Sequence, residues 1–416
     1  MVGKVDMTDI LVSFRCKERV SAVPPQASYL FEYILCPIYE RVASMYPSTW
    51  SPNKVTLTGI FATTISSLLM LTSMPVNTAF EPPHVTVVPA SYYLNSSFKR
   101  KAASGPSPLH PSMLQPPFSR VFTPTSLLLL CGFLNLVYCI ADNTDGCLAR
   151  RLRKASNVGE YMDHGLDCVT SLMSTCVSMS VIGFSFPNIA VTVALVAMLT
   201  ILSHTLNYER NIFVWGNRFV SVDEAMLFFF LVNWVSLLFP GLGTATLSPP
   251  ILDMFLPQPL AQLLYPLRYI DAALIGCWIS QCFVLISISA KNWCMLFRMQ
   301  TLASFLSLVF LFAIVPYHTL HMEKEGLAAY TLGPLSYVSV WIITLACTLS
   351  SIVHIPIYAR CAGQLQTELL PLAGVIFIFL TFSSFPAVAM VLAVVWHIGQ
   401  ICCNVSRLKA LGVKTE

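Results

Sequence analysis

About ten stretches of this chain, each close to bilayer-spanning length, are almost free of charge, and nothing else in the sequence limits its fold so severely. They fall at 55–76, 121–141, 164–185, 188–204, 224–243, 270–290, 300–317, 334–356, 368–383 and 386–403. A spanning helix needs ~20 apolar residues to cross a ~30 Å hydrocarbon core. The last two runs are separated only by Ser383 to Pro386, which reads as a tight helical hairpin. Composition agrees: 56% of the 416 residues are hydrophobic and 11% charged, and mean hydropathy is +0.69. That leaves too little polar surface to wrap a soluble core of this size. The predicted fold is all-α, a polytopic membrane protein of about ten transmembrane helices. Its charges lie in short connections between apolar runs, and no nucleic-acid partner is expected.

The chain divides into a cytosolic N-terminus at 1–54, a catalytic group of helices at 55–243 and further transmembrane helices at 244–416. No basic n-region followed by an apolar h-region opens it, so no cleavable signal is expected. Within 28–46, Leu30, Phe31, Ile34, Leu35, Ile38, Val42 and Met45 recur at three- and four-residue spacing opposite Glu32, Glu40 and Arg41. This spacing predicts an amphipathic helix, interrupted near Pro37, lying either on the membrane interface or on other protein segments. The stretch 77–120, rich in Pro, Ser and His, reads as a lumenal loop carrying a glycosylation sequon at Asn95. The cysteines, among them Cys131, Cys168, Cys176, Cys277 and Cys347, sit in apolar segments as small hydrophobes, and no disulfide is expected. Cys402 and Cys403 either fill the surface of the last helix or accept acyl chains.

Ten spans put both termini on one side with the loops after the even-numbered helices. That side holds all the Lys and Arg residues except Lys99, Arg100, Lys101, Arg120, Arg268 and Lys324. The basic excess marks it as cytosolic, with the densest cluster at Arg150, Arg151, Arg153 and Lys154.

Chemistry concentrates between the second and third apolar runs. The chain there reads Asp142-Asn143-Thr144-Asp145-Gly146, and further on Gly159-Glu160-Tyr161-Met162-Asp163-His164-Gly165-Leu166-Asp167. Asp142 and Asp145 share a face at the end of one helix, and Asp163 and Asp167 share a face at the start of the next. Converging carboxylates beside a low-dielectric slab need compensating positive charge. A divalent cation with hard oxygen ligands supplies it, and two ions ~3.5–4 Å apart would suit a phosphoryl displacement. Zinc is disfavoured without Cys or several His in register. Gly146, Ala149 and Gly159 would let a nucleotide approach the helices, and Arg150 can fork onto a phosphate. Taken singly, these residues are also what solvated helix caps would use.

As a set they match, without a gap, the D-x2-D-G-x2-A-R-x8-G-x3-D-x3-D signature of the CDP-alcohol phosphatidyltransferase family, which the chain resembles. The resemblance implies that a lipid hydroxyl attacks the β-phosphate of a CDP-alcohol and CMP leaves, with Mg²⁺ or Mn²⁺ required. It implies that Asp142, Asp145, Asp163 and Asp167 hold a metal pair, and that Gly146, Ala149, Arg150 and Gly159 border the CDP moiety with Asp142. Asp167 stands where the family has its candidate general base. His164 competes for that role, since a histidine here resembles the eukaryotic choline and ethanolamine branch. An imidazole of pKa ~6.5 is mostly neutral near pH 7 and suits proton abstraction. The alternative for His164 is to orient Asp167.

The number of spans, the amphipathic helix and Ser51-Pro52-Asn53-Lys54-Val55-Thr56 at the first helix also resemble the choline/ethanolamine phosphotransferases, with Asn53 as a pocket residue. The branch's Gly-Pro-x-Glu-Gly element appears here as Ser221-Val222-Asp223-Glu224-Ala225, in which only Glu224 matches. Tyr208 and Trp215 could face an ammonium head group with Glu209 or Glu224 as counter-charge, or serve as interfacial aromatics. The resemblance implies CDP-ethanolamine or CDP-choline as donor and diacylglycerol or its alkyl-acyl analogue as acceptor. It also implies a homodimer in the membrane of the endoplasmic reticulum or Golgi, with the active site facing the cytosol. Two alternatives stand beside this reading. One is a CDP-diacylglycerol-dependent inositol transferase, disfavoured by chain length. The other is a transporter using intramembrane polar residues such as Asp271 and His354.

Overall fold

The computed structural model describes residues 28–73, 124–182, 184, 186–214, 216, 222–239, 268–291, 331–332, 335–363, 377–378 and 385–411. A π-helical turn, Phe31–Leu35, runs into α1 (Cys36–Met45). There follow α2 (Pro52–Ser73), α3 (Pro124–Leu152), α4 (Asn157–Ile182), α5 (Phe186–Arg210), α6 (Val222–Leu238), α7 (Tyr269–Lys291), α8 (Tyr337–Ala362) and α9 (Pro386–Ala410). Apart from the antiparallel pair Thr331–Leu332 with Leu335–Ser336, the described elements are helices.

Among the described residues seven helices are long and apolar enough to cross a membrane, and the chain is an all-α polytopic membrane protein. Of the ten predicted spans, the run at 300–317 and nearly all of that at 368–383 lie outside the described residues, as does the loop bearing Asn95. Every described cysteine is a free thiol.

Small and hydroxylated residues set how closely the helices pack. A Cβ on Gly59 of α2 would lie 2.7 Å from Ala141 Cβ of α3, so the two backbones meet there at a distance only glycine allows. One turn further along, Thr63 donates to Asn135 Oδ1 at 3.2 Å and lies 3.1 Å from Ser174 Oγ, tying α2, α3 and α4 together inside the bundle. Such bonds satisfy polar groups where water is absent. At the centre stands α8, whose most apolar window is entirely buried by protein, packed on α4, α5 and α9. By contrast, α9 turns most of its surface outward.

The amphipathic segment does two things at once. Tyr39 and Ala43 are buried against α3, with Tyr39 Oη 3.5 Å from Cys139 Sγ and Tyr46 Oη 3.1 Å from Thr144 Oγ1. Arg151 of α3 donates back to the carbonyls of Ala43 and Tyr46. The opposite face leaves Tyr33, Ile34, Ile38 and Met45 exposed. The irregularity expected near Pro37 is the π turn that immediately precedes it.

One boundary differs from the sequence expectation. The second predicted run stops at 141, whereas α3 continues to Leu152, and α4 begins at Asn157 rather than at 164. Hydropathy ends where helicity does not, because the polar residues are satisfied by the helix itself. Asn143 Nδ2 donates to Cys139 O at 2.8 Å, and Thr144 Oγ1 to Ile140 O at 2.7 Å. The carboxylates are therefore carried inside helices.

Candidate active site

Both pairs of carboxylates are presented by two consecutive helices joined by the short turn 153–156. The end of α3 is closed by Arg153 in the left-handed region (φ 52°) and by Lys154 N donating to Ala149 O at 2.9 Å. Ser156 then caps α4: its Oγ accepts from Gly159 N at 2.9 Å, three residues on. This tight reversal sets the two acidic faces against each other.

Asp142, Asp163 and Asp167 come together, each offering a carboxylate oxygen within 4.8 Å of the others. Asp145 lies beside them, within hydrogen-bonding reach of Asp163, and is only 4% exposed. A hydroxyl from a third helix, Thr56 of α2, donates to Asp145. Tyr138, one turn before Asp142 on α3, donates its hydroxyl to Asp167 Oδ1 at 3.2 Å and accepts from Thr170 Oγ1 at 3.4 Å. Thr56 and Tyr138 thus fix the orientation of two of the four carboxylates.

The site fits a hard divalent cation. Its donors are all carboxylate oxygens, with no thiolate or imidazole in the group. Like charges this close repel by about 3 kcal/mol per pair at an effective dielectric of 20, so the arrangement calls for a cation or shared protons. Oxygens facing each other across an octahedral ion with ~2.1 Å bonds lie about 4 Å apart, and small side-chain rotations would close the observed spacing to that value.

The residues expected to border a nucleotide gather around the same turn. A Cβ on Gly159 would lie 3.0 Å from Ser156 Oγ and 3.2 Å from Asn53 Oδ1, so Asn53 at the start of α2 sits directly against the first turn of α4. Gly146 has a more open flank, where the nearest atom to an added Cβ would be Arg150 Nη1 at 3.5 Å. Arg150 is exposed and donates to Cys147 Sγ at 3.2 Å, leaving a guanidinium on the outer side of α3 beside half-buried Ala149.

His164 follows Asp163 by one residue, about 100° further round α4. Its ring packs on His204 of α5, with centroids 5.3 Å apart, and on Phe213 at 5.5 Å. His204 and Phe213 also touch each other at 4.8 Å. Neither is singled out by the sequence pattern, although His204 is a buried histidine in an otherwise apolar run. Tyr208 and Glu209 are half-buried in the last turn of α5. Glu224, in the first turn of α6, accepts a hydrogen bond from buried Ser28 ahead of the π turn. Two residues on, Met226 Sδ lies 3.7 Å from Asn143 Nδ2, which brings α6 up to the acid-bearing turn of α3. Trp215 lies outside the described residues. Of the transporter signals, Asp271 is at the very start of α7, ion-paired with Arg268 at 2.8 Å.

Fold and site together define a polytopic helical membrane protein with a cluster of carboxylates carried by two consecutive helices. Residues 113–255 match the family described as CDP-alcohol phosphatidyltransferase, and this segment contains both acid-bearing helices. Over 252 residues it is 24% identical to ethanolaminephosphotransferase 1 of Homo sapiens, covering 59% of this chain and 50% of the relative. It is 25% identical over 268 residues to ethanolaminephosphotransferase 1 of Pongo abelii, covering 63% and 54%. The chain spans about half the length of the curated relatives it matches.

Proposed function

We propose that this chain transfers phosphoethanolamine, or phosphocholine, from its CDP-alcohol to diacylglycerol or alkyl-acylglycerol, forming the phospholipid and releasing CMP. The observation that carries this reading is the convergence of Asp142, Asp163 and Asp167 within 4.8 Å, with Asp145 beside them. The names of the similar proteins favour ethanolamine over choline as the head group.

In this reading Asp142, Asp145, Asp163 and Asp167 hold Mg²⁺ or Mn²⁺, as a pair of ions. Bound there, the metal supplies charge compensation for the donor's phosphates and for the oxygens entering and leaving phosphorus. Thr56 and Tyr138 keep the Asp145 and Asp167 carboxylates aimed. Asn53, Gly146, Ala149, Arg150 and Gly159 border the CDP moiety, Arg150 on a phosphate. His164 takes the proton of the lipid hydroxyl as the new O–P bond forms and the bond from the β-phosphorus to the CMP oxygen breaks. Its position supports this role: it is next to the carboxylates without being one of them, and two aromatic rings hold it. Asp167 is engaged with Tyr138 and with the carboxylate group, which leaves it less suited as a base. Tyr208, Glu209, Trp215 and Glu224 are the head-group candidates.

We assign the site to the cytosolic face of the endoplasmic reticulum or Golgi membrane, a reading supported by the basic cluster Arg150 to Lys154 at the α3–α4 turn. Family resemblance alone carries the homodimer, which light scattering on the purified protein checks. The function itself is tested by CMP release from purified protein given diacylglycerol and Mg²⁺, with CDP-ethanolamine and CDP-choline offered separately. Turnover of either donor supports the transferase. Donor refusal alongside turnover of CDP-diacylglycerol and inositol would replace it with the inositol reading.

A further inference from the structure

Behind the acidic face of α4 lies a second polar cluster, in which Tyr161 of α4 meets residues of α8 and α9 beyond the matched family segment. Tyr161 is fully buried, and its hydroxyl lies 2.8 Å from His354 Nδ1 of α8 while accepting from Asn404 Nδ2 of α9 at 2.9 Å. The His354 ring lies over Gly165, where an added Cβ would meet its Cε1 at 2.7 Å. On its far side His354 packs against His397, with ring centroids 5.1 Å apart. His354 is 0% exposed, His397 4% and Asn404 1%. His354 Nε2 and both His397 ring nitrogens are buried without a hydrogen-bond partner among the described residues. Buried polar groups on this scale are costly in a helix bundle, and a fully apolar interface would have packed α8 on α4 without them.

Helical spacing says what the cluster grips. Tyr161 and Gly165 are four apart and share one face of α4, while Asp163 and Asp167 are four apart on a face about 200° away. The helix is thus clamped between the carboxylate site in front and the His354–Tyr161–Asn404 network behind. The turn 153–156 tethers α4 to α3 at one end only, so rotation of α4 about its own axis is limited further along by its packing. The network limits that motion through one directional bond to Tyr161 and one steric stop at Gly165.

We propose that His354 is a positioning residue for the metal-binding face of α4: it fixes the rotation of α4 that brings Asp163 and Asp167 to Asp142. The inference rests on the metal-site reading given above. It extends the working site to α8 and α9, outside residues 113–255. Partners that orient metal ligands without touching the metal typically change metal affinity by about 10–100-fold when lost.

The test is Mn²⁺-dependent thermal protection of the full-length, detergent-purified protein, run beside CMP release. Wild type should be protected by Mn²⁺, and Asp163→Asn should not. For His354→Leu the Mn²⁺ concentration giving half-maximal protection should rise about tenfold or more, and that for half-maximal CMP release should rise in parallel. His354→Asn, which keeps a hydrogen-bonding atom near the Nδ1 position, should recover most of the shift. Tyr161→Phe removes the shared hydroxyl at nearly constant volume and should shift the Mn²⁺ midpoint in the same direction, so the test survives if His354→Leu does not fold. A lower melting temperature with an unchanged Mn²⁺ midpoint in both variants would overturn the proposal, since a merely structural role predicts that pattern. Absence of Mn²⁺ protection in wild type would instead sink the metal-site reading on which the proposal stands.

Discussion

Replacing Asp163 by Asn should have opposite effects on stability with and without metal. In the structure a carboxylate oxygen of Asp163 lies within 4.8 Å of oxygens from both Asp142 and Asp167. Two unit charges at that distance repel by about 3 kcal/mol at an effective dielectric of 20, so two ionised pairs would cost about 6 kcal/mol. Shared protons relieve part of this, and about 1–3 kcal/mol of net relief is expected when Asp163 becomes a neutral amide. In EDTA the Asp163→Asn protein should therefore melt a few degrees above wild type. In millimolar Mg²⁺ or Mn²⁺ the order should reverse, because only wild type gains from binding the ion. CMP release should fall by about a thousandfold, the equivalent of about 4 kcal/mol of lost charge stabilisation in the transition state. A nano-scale fluorimetric melt in EDTA and in Mn²⁺, with CMP release on the same samples, reads all three. If Asp163→Asn melts below wild type in EDTA and is unaffected by metal, the carboxylates are structural and the reasoning fails.

Other positions test the support around the site. Thr56→Val keeps the shape of the side chain but removes the donor to Asp145. A hydrogen bond to a charged group is worth about 1.5–3 kcal/mol, so activity should drop about 10–100-fold while Thr56→Ser retains most of it. Tyr138→Phe removes the hydroxyl that donates to Asp167, and a loss of about fivefold in CMP release with little change in melting is expected. Gly59→Leu forces atoms into the 2.7 Å gap against Ala141, one residue from Asp142, and should lower stability by about 1–3 kcal/mol as well as activity. Normal melting of Gly59→Leu would mean that α2 and α3 are not held in the close contact described.

The carboxylates were legible because they are local. Asp142 with Asp145, and Asp163 with Asp167, sit at helical spacing within one short segment, so their convergence needs only a turn between two helices. The residues that orient them were not legible. Thr56 meets Asp145 across 89 positions and Tyr138 meets Asp167 across 29, and neither residue type is unusual in a membrane helix. His204 and Phe213, which hold the His164 ring, were hidden the same way, one in an apolar run and one just past its end. In the sequence His354 stands out only as an intramembrane polar residue, and nothing in the motif points to Tyr161 as its partner 193 positions away. The apolar pattern located the described spans but ended α3 early, since hydropathy does not register that Asn143 and Thr144 bond to their own helix. The amphipathic segment was readable as a helix. Its double use, Tyr39 and Ala43 on α3 and Ile34 and Ile38 outward, appears only once the partner helix is in place.

On the function proposed above, the Asp142, Asp163 and Asp167 carboxylates hold a divalent ion in contact with the CDP phosphates. The most direct measurement is a structure of the full chain with Mn²⁺ and CDP, read by anomalous scattering. Mn²⁺ peaks are expected among these carboxylates and Asp145, with the CDP phosphates bound to the same ions and Asn53 and Gly159 beside the nucleotide. Carboxylates without metal while CDP and Mn²⁺ occupy another part of the protein would contradict that function.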